Sequence, residues 1–239
     1  MAMIAALGVM MLAMAALAAC TPAKADSPLT VKAPVHTAVL KSDLPLTPAQ
    51  SESKYAYVVS ASGYPGGNFD VGETEEKLPN PIDAVIRVLA DVTNSGIKYD
   101  LCAIEAGADA LTAPTEAMAI IAVNDYEQRK ALQVFESSAK EFSDMDVSVA
   151  ITQTVVPGYA VSADDASKVV TQLSSLTGND FTQDNEGLSG VFTGRVSLKP
   201  DHFVCDVSII GSDAQAVDRV SGECIGIEAL SGIPLQRVT

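Results

Sequence analysis

A chain of 239 residues with 15 Lys and Arg against 30 Asp and Glu carries a formal charge of −15. A surface of that sign repels nucleic-acid phosphates and anionic lipid headgroups, so nucleic acid is excluded as a partner class. The length supports one large domain or two small ones with a real core, and four cysteines without CxxC or Cys/His spacing provide no zinc motif.

Residues 1–19 hold no charged or strongly polar side chain, and the sequence then turns abruptly to Cys20-Thr21-Pro22-Ala23-Lys24. That is a targeting segment rather than part of a fold. Leu17-Ala18-Ala19-Cys20 resembles the lipobox of bacterial lipoproteins, which implies cleavage before Cys20 and a lipid on its thiol. The usual Lys or Arg ahead of the apolar run is missing, and a plain N-terminal membrane anchor is the competing reading, because an apolar run of this length just spans a bilayer core. Without Asp directly after Cys20, the enteric sorting rule sends such a protein to the outer membrane, facing the periplasm.

From 20 to 53 the chain is rich in Pro, Ala, Ser and Thr, with Pro22, Pro28, Pro34, Pro45 and Pro48 spaced through it, and reads as a tether in which His36 is merely solvated. Tyr55, Tyr57 and Val59 alternate as in a strand that ends at the turn Gly63-Tyr64-Pro65-Gly66-Gly67. Asn80-Pro81-Ile82-Asp83 is a helix start, with Ile82, Val85, Ile86, Leu89 and Val92 on one face and Gly96 as its stop. Strands are expected at 97–105 and 117–123, then a helix opened by Asn124-Asp125 with Leu132, Phe135, Ala139 and Phe142 buried, then a strand at 147–156. Ser162 and Asp165 form a capping box before Val169, Val170, Leu173 and Leu176. A hairpin at 188–198 and 203–210 turns around Pro200-Asp201, Asp213 caps a last helix carrying Val217, Val220 and Cys224, and 233–238 closes the chain as a strand. The fold class is therefore α+β, as two ferredoxin-like (split βαβ) units, 54–156 and 157–239, that share a sheet and are fused through the strand at 147–156.

These stretches, from about Tyr57 to Leu230, resemble the lid or dimerisation domain of the aminoacyl-histidine dipeptidases, carnosinase-like zinc peptidases. Gly63-Tyr64-Pro65-Gly66-Gly67-Asn68 stands where that family has Gly-Gly-His-Ser-Gly-Gly. Ala106-Gly107-Ala108-Asp109-Ala110-Leu111-Thr112-Ala113-Pro114-Thr115-Glu116-Ala117 stands where it has a segment containing Arg-Asn-Ala-Ile-Pro-Arg-Glu-Ala. Backbone-shaping positions match: Gly63, Gly67, Gly107, Pro114 and Glu116. Positions that the resemblance would place against substrate do not. The lid histidine falls near Tyr64 or Pro65, the arginine on Ala110, the asparagine on Leu111 and the second arginine on Thr115, which removes charge and hydrogen-bond donors.

The zinc domain that the resemblance implies needs a His-x-Asp pair, a Glu-Glu base and a late histidine. This chain has only His36 and His202, neither followed by Asp two places on, and its single Glu-Glu pair, Glu75-Glu76, lies in an acidic loop. No catalytic residue, metal ligand or cofactor is assigned. His202 reads as a turn residue. Asp180, Asp184 and Glu186 crowd one loop as a weak calcium candidate, although their spacing matches no EF-hand. The turn at Gly63, Tyr64, Gly66 and Gly67 lacks the Lys-Ser/Thr ending of a phosphate cradle and is kept as a ligand or turn region. Cys102, Cys205 and Cys224 are expected as buried apolar thiols, with one disulfide open as an alternative after export. The expected function is a non-catalytic envelope lipoprotein that uses a dipeptidase-lid-like domain for homodimerisation or for binding an envelope protein or peptide. The alternative is the accessory half, or a degenerate relative, of a zinc dipeptidase whose catalytic domain lies elsewhere.

Overall fold

The computed structural model describes residues 35–62, 66–68, 80–142 and 148–238. Strands β1 (His36–Pro45) and β2 (Pro48–Gln50) lead into β3 (Tyr55–Ser62) and the short β4 (Gly67–Asn68). Helix α1 (Pro81–Asn94) precedes β5 (Asp100–Ala106), β6 (Thr112–Ala113) and β7 (Ala117–Val123). Then come α2 (Gln128–Glu141), β8 (Ser148–Thr154), β9 (Tyr159–Val161) and α3 (Ala163–Gly178). The hairpin β10 (Leu188–Lys199) and β11 (His202–Gly211), helices α4 (Ala214–Gly226) and α5 (Glu228–Ser231), and β12 (Gln236–Val238) follow.

Eight strands make one antiparallel sheet in the order β12-β1-β11-β10-β5-β7-β3-β8. The class is α+β. Taken in chain order, β3, β5, β7 and β8 lie with the fourth beside the first, then the third, then the second, and β1, β10, β11 and β12 lie in that same order. The two sets meet where Val196 to Leu198 of β10 pair with Ala106 to Ile104 of β5.

Strand alternation puts Ala38 and Leu40 of β1, Tyr57 and Val59 of β3, Ala119 and Ile121 of β7, and Phe203, Cys205, Val207 and Ile209 of β11 on one face. Helices α1 to α4 cover that face, and their apolar stripes join it in one continuous cluster. Helix α1 begins as its sequence dictates: the Asn80 side-chain oxygen accepts from the Ile82 N–H at 3.0 Å, with Pro81 next. The Asn80 amide also donates to the Thr193 carbonyl at 2.8 Å, tying that helix start to a bulge in β10. Helix α3 is capped by Ser162, whose hydroxyl accepts from the Asp165 N–H at 3.2 Å. The Tyr57 and Phe135 rings meet with centroids 5.4 Å apart and pin α2 to β3.

The residues from 36 to 45 are not a tether. They form β1, in register with β11 over its whole length from His36↔Gly211 to Pro45↔His202, one strand in from the sheet edge. Pro34 and Pro45 bracket a proline-free stretch in which Ala38, Leu40 and Ser42 point inward, so the proline density averaged over a longer window concealed an alternating strand. His36 is thus a partly buried strand residue rather than a solvated one. A buried polar relay fixes β1 further: Gln172 of α3, fully buried, donates to the Ser42 hydroxyl at 3.3 Å and accepts from Ser231 at 2.9 Å. Ser42 in turn donates to the Pro234 carbonyl.

Two other elements differ from expectation. The strand at 148–154 does not fuse two units. It is the outer edge, with β3 as its partner in the sheet, and β5 with β10 makes the junction instead. Asn124 caps a turn, accepting from the Tyr126 N–H at 3.0 Å and the Glu127 N–H at 3.2 Å, so α2 starts only at Gln128. Of the expected stripe Phe135 and Phe142 are buried, but Ala131 and Ser138 complete it, Ala139 is half-buried and Leu132 is exposed.

Candidate functional site

The residues singled out in the sequence fall in several places. Cys20, Leu17, Ala18 and Ala19 lie outside the described residues, as do Gly63, Tyr64 and the Glu75-Glu76 pair. Gly66 and Gly67 are placed, and they meet the segment that follows Gly107. Strand β4 pairs with β6 through Gly67↔Ala113 and Asn68↔Thr112. Gly66 has φ +63°, and a Cβ there would stand 2.5 Å from Thr115 Cγ2 and 3.3 Å from the Ala113 carbonyl. This ribbon sets Gly66 against Thr115, and Ala110 and Leu111 directly precede its second strand. Ala110 is buried and Leu111 is 48% exposed, while Thr115 is an exposed neutral residue. Asp109 uses its carboxylate locally, accepting from the Leu111 N–H at 2.8 Å and the Thr112 hydroxyl at 3.1 Å. No charge or free donor is thereby aimed outward from Ala110 or Leu111.

The two histidines sit at opposite ends of the β1–β11 pair, His36 across from Gly211 and His202 across from Pro45, roughly 30 Å apart at the usual strand rise. They cannot share an ion. His202 is a strand residue whose Nε2 lies 2.9 Å from Asp43 Oδ1, not an unattached turn residue. The calcium reading is corrected as well. Among the described residues no three His, Cys, Asp or Glu side chains converge on one point, so Asp180, Asp184 and Glu186 do not form a shell. Asp180 Oδ1 instead accepts from the Thr182 N–H at 3.1 Å and the Thr182 hydroxyl at 2.6 Å, a local turn that points the carboxylate back at its own loop. The described residues therefore do not fit the zinc centre of a dipeptidase.

Cys102, Cys205 and Cys224 are free and buried, each in a different part of the sheet or helix layer. Burial away from water pushes the thiols of Cys102 and Cys224 up to about 12, and that of Cys205 higher still, with nearby Asp100, Glu223 and Asp206 adding to the rise in turn. A thiol reagent at pH 8 should accordingly label none of the three in the native protein and all of them in denaturant. Because the folded thiols keep their protons to higher pH than unfolded ones, their contribution to stability is full below pH 9 and is lost as pH rises from about 9 towards 12. Rapid labelling of native Cys224 at pH 8 would contradict the packing of α4.

Two features were not foreseen. Asp206, with a side chain only 3% exposed, stands on the face of the sheet opposite the helices, between Lys41 at 3.6 Å and Arg195 at 3.9 Å. A single Asp inside Phe203–Ile210, otherwise apolar at most positions, was the available signal. The second is the outer rim of β8. Its seven residues, Ser-Val-Ala-Ile-Thr-Gln-Thr, contain no charge and no proline, and Ser148, Ala150, Thr152 and Gln153 are exposed. Among the described residues no strand pairs with its outer side, which leaves a row of backbone N–H and C=O groups available there. The available signal was the polar pair Ser148 and Thr152 on one side of the strand, against a β7 that is apolar throughout.

No protein-family model matches the chain, and no curated protein matches it in sequence. Among solved structures it is similar to the aminoacylhistidine dipeptidase from Vibrio alginolyticus, with a TM-score of 0.71 at 13% identity, over 85% of this chain and 44% of the dipeptidase. An amidase of the hydantoinase/carbamoylase family from Burkholderia multivorans aligns over 59% of this chain and 34% of its own, at a TM-score of 0.34 and 11% identity, too distant to carry an argument. The chain has the α+β fold of a dipeptidase-like domain and spans less than half the length of the dipeptidase it matches.

Proposed function

We propose that this chain is a lipoprotein of the bacterial envelope, anchored through Cys20, whose domain is a non-catalytic, peptidase-lid-like module that pairs with a second copy of itself. Two ferredoxin-like units underlie it, one from β3, α1, β5, β7, α2 and β8, the other from β1, α3, β10, β11, α4 and β12. The repeated strand order supports that division. It also makes the first unit an insertion between the first strand and first helix of the second.

The observation that carries the pairing is the β8 rim. On a molecule of charge −15, most approaches of one copy to another meet like charge, but this seven-residue edge has none. Two such edges related by a two-fold axis satisfy one another's backbone groups in an antiparallel ladder and extend each sheet into its partner. The emptied polar positions of the β4–β6 ribbon, Ala110, Leu111 and Thr115, support a binding role without chemistry.

Light scattering on the soluble chain from Ser27 onward tests this reading. A dimer is expected at micromolar concentration. Lys at both Ala150 and Thr152 places like charges across the two-fold axis and should raise the dissociation constant at least tenfold, with the circular dichroism spectrum unchanged. A wild-type protein that stays monomeric over a wide concentration range would sink the proposal.

A further inference from the structure

Where α1 ends and β5 begins, the first turns of α3 pass close by and leave a cleft of about 480 Å³, within the size range of small-molecule sites. Tyr99, Ala166 and Val170 give it apolar walls. Asp100 stands among them and is held in one orientation, because its Oδ2 accepts from the hydroxyls of Ser51 and Ser53, each at 2.8 Å. Its Oδ1 accepts no hydrogen bond among the described residues, and no Lys or Arg there pairs with it. Lys98, the single cation of the lining, is exposed and makes no ion pair with Asp100. A fixed carboxylate with one bare oxygen beside an apolar wall, in a protein whose overall field draws cations, has an evident complement.

We propose that this cleft binds an organic ammonium group on a short apolar chain, with Asp100 as the anchoring residue. The ammonium donates to Asp100 Oδ1 in a charge-assisted hydrogen bond. It donates also to the Ser53 hydroxyl oxygen, whose own proton already points to Asp100 and whose lone pairs remain available. The methylene chain lies against Tyr99, Ala166 and Val170. Asp100 is on β5, in the interior of the sheet, so the site is independent of pairing through the β8 edge.

The test is a nuclear magnetic resonance titration of the purified full-length chain with hexylammonium chloride, with hexanol and potassium hexanoate as matched controls. Hexylammonium should give saturable shifts centred on Tyr99, Ala166 and Val170, with a millimolar dissociation constant, and hexanol should bind at least tenfold more weakly. Asp100→Asn keeps an acceptor for both serines and should weaken hexylammonium about tenfold while leaving hexanol unchanged. Ser167→Trp, on the exposed rim of α3, fills the cleft without touching Asp100 and should abolish both. Equal affinity for hexanol and hexylammonium, tighter binding of hexanoate through Lys98, or binding that survives Ser167→Trp would each overturn the assignment.

Discussion

A chain that begins at residue 54 is expected not to fold, whereas one that begins at Ser27 should melt cooperatively. The shorter chain lacks β1, which pairs with all of β11 and, through Val39 to Lys41, with β12. Losing Leu40 alone, fully buried, removes a contact of the kind that costs about 3 kcal/mol when truncated to Ala. The loss extends to Ala38, and to Ser42 with it, which leaves the fully buried Gln172 amide without an acceptor, at about another 1–3 kcal/mol. Strand β11 would become a bare edge with Phe203, Val207 and Ile209 uncovered at its flank. These losses together reach the roughly 5–15 kcal/mol that is the whole stability of an ordinary domain. Dispersed amide resonances and a sharp thermal transition in the chain from residue 54 would refute this account.

The second large effect is expected at Gly107. It sits at φ +66°, and a Cβ added there would stand 1.8 Å from the Gly194 carbonyl oxygen. Gly194 has no more room, because its own Cβ would meet the carbonyl oxygens of Asp109 and Ala110 at 2.4 and 2.5 Å. The two glycines let the loop after β5 lie directly on the β10 bulge, across the junction between the halves of the sheet. Gly107→Ala should cost about 3–4 kcal/mol, the left-handed backbone contributing about 1–2 and the forced separation the rest. Gly96 is the internal control: it has φ +68°, yet a Cβ there would meet nothing within 4 Å, so Gly96→Ala should show the backbone cost alone. Urea unfolding at constant m-value separates the two. Equal losses at both positions would mean that the close approach carries no energy.

Much of this was legible in the sequence where a signal was local. The Asn80-Pro81 and Ser162 to Asp165 starts, the Pro200-Asp201 hairpin and the apolar run of β7 are each written within a few residues, and each element lies where those signals place it. The resemblance to a dipeptidase domain agrees with the likeness of fold, and with no more than that. Errors arose where the deciding information was long-range. Nothing in His36 to Pro45 announces a partner at His202 to Gly211, so the prolines around it dominated. Strand β8 was recognised as a strand, but which of two strands joins the halves depends on pairing that the alternation of one segment does not encode. Asp100 gave no signal, since its two serine partners belong to the stretch that was read as a tether.

That same pairing sets the order in which the chain can assemble. The strand that emerges first has its long partner among the last to be made, and the loop between them holds the entire first set of strands. Closing so large a loop is entropically slow, and contacts distant in sequence depress folding rates. The inserted segment from β3 to β8 contains its own complete ladder and can form as soon as it is released. Until the C-terminal hairpin arrives, however, β1 waits without its long partner. The slow step is therefore expected to be the return of β11 to β1, after the segment between them has already formed its own ladder.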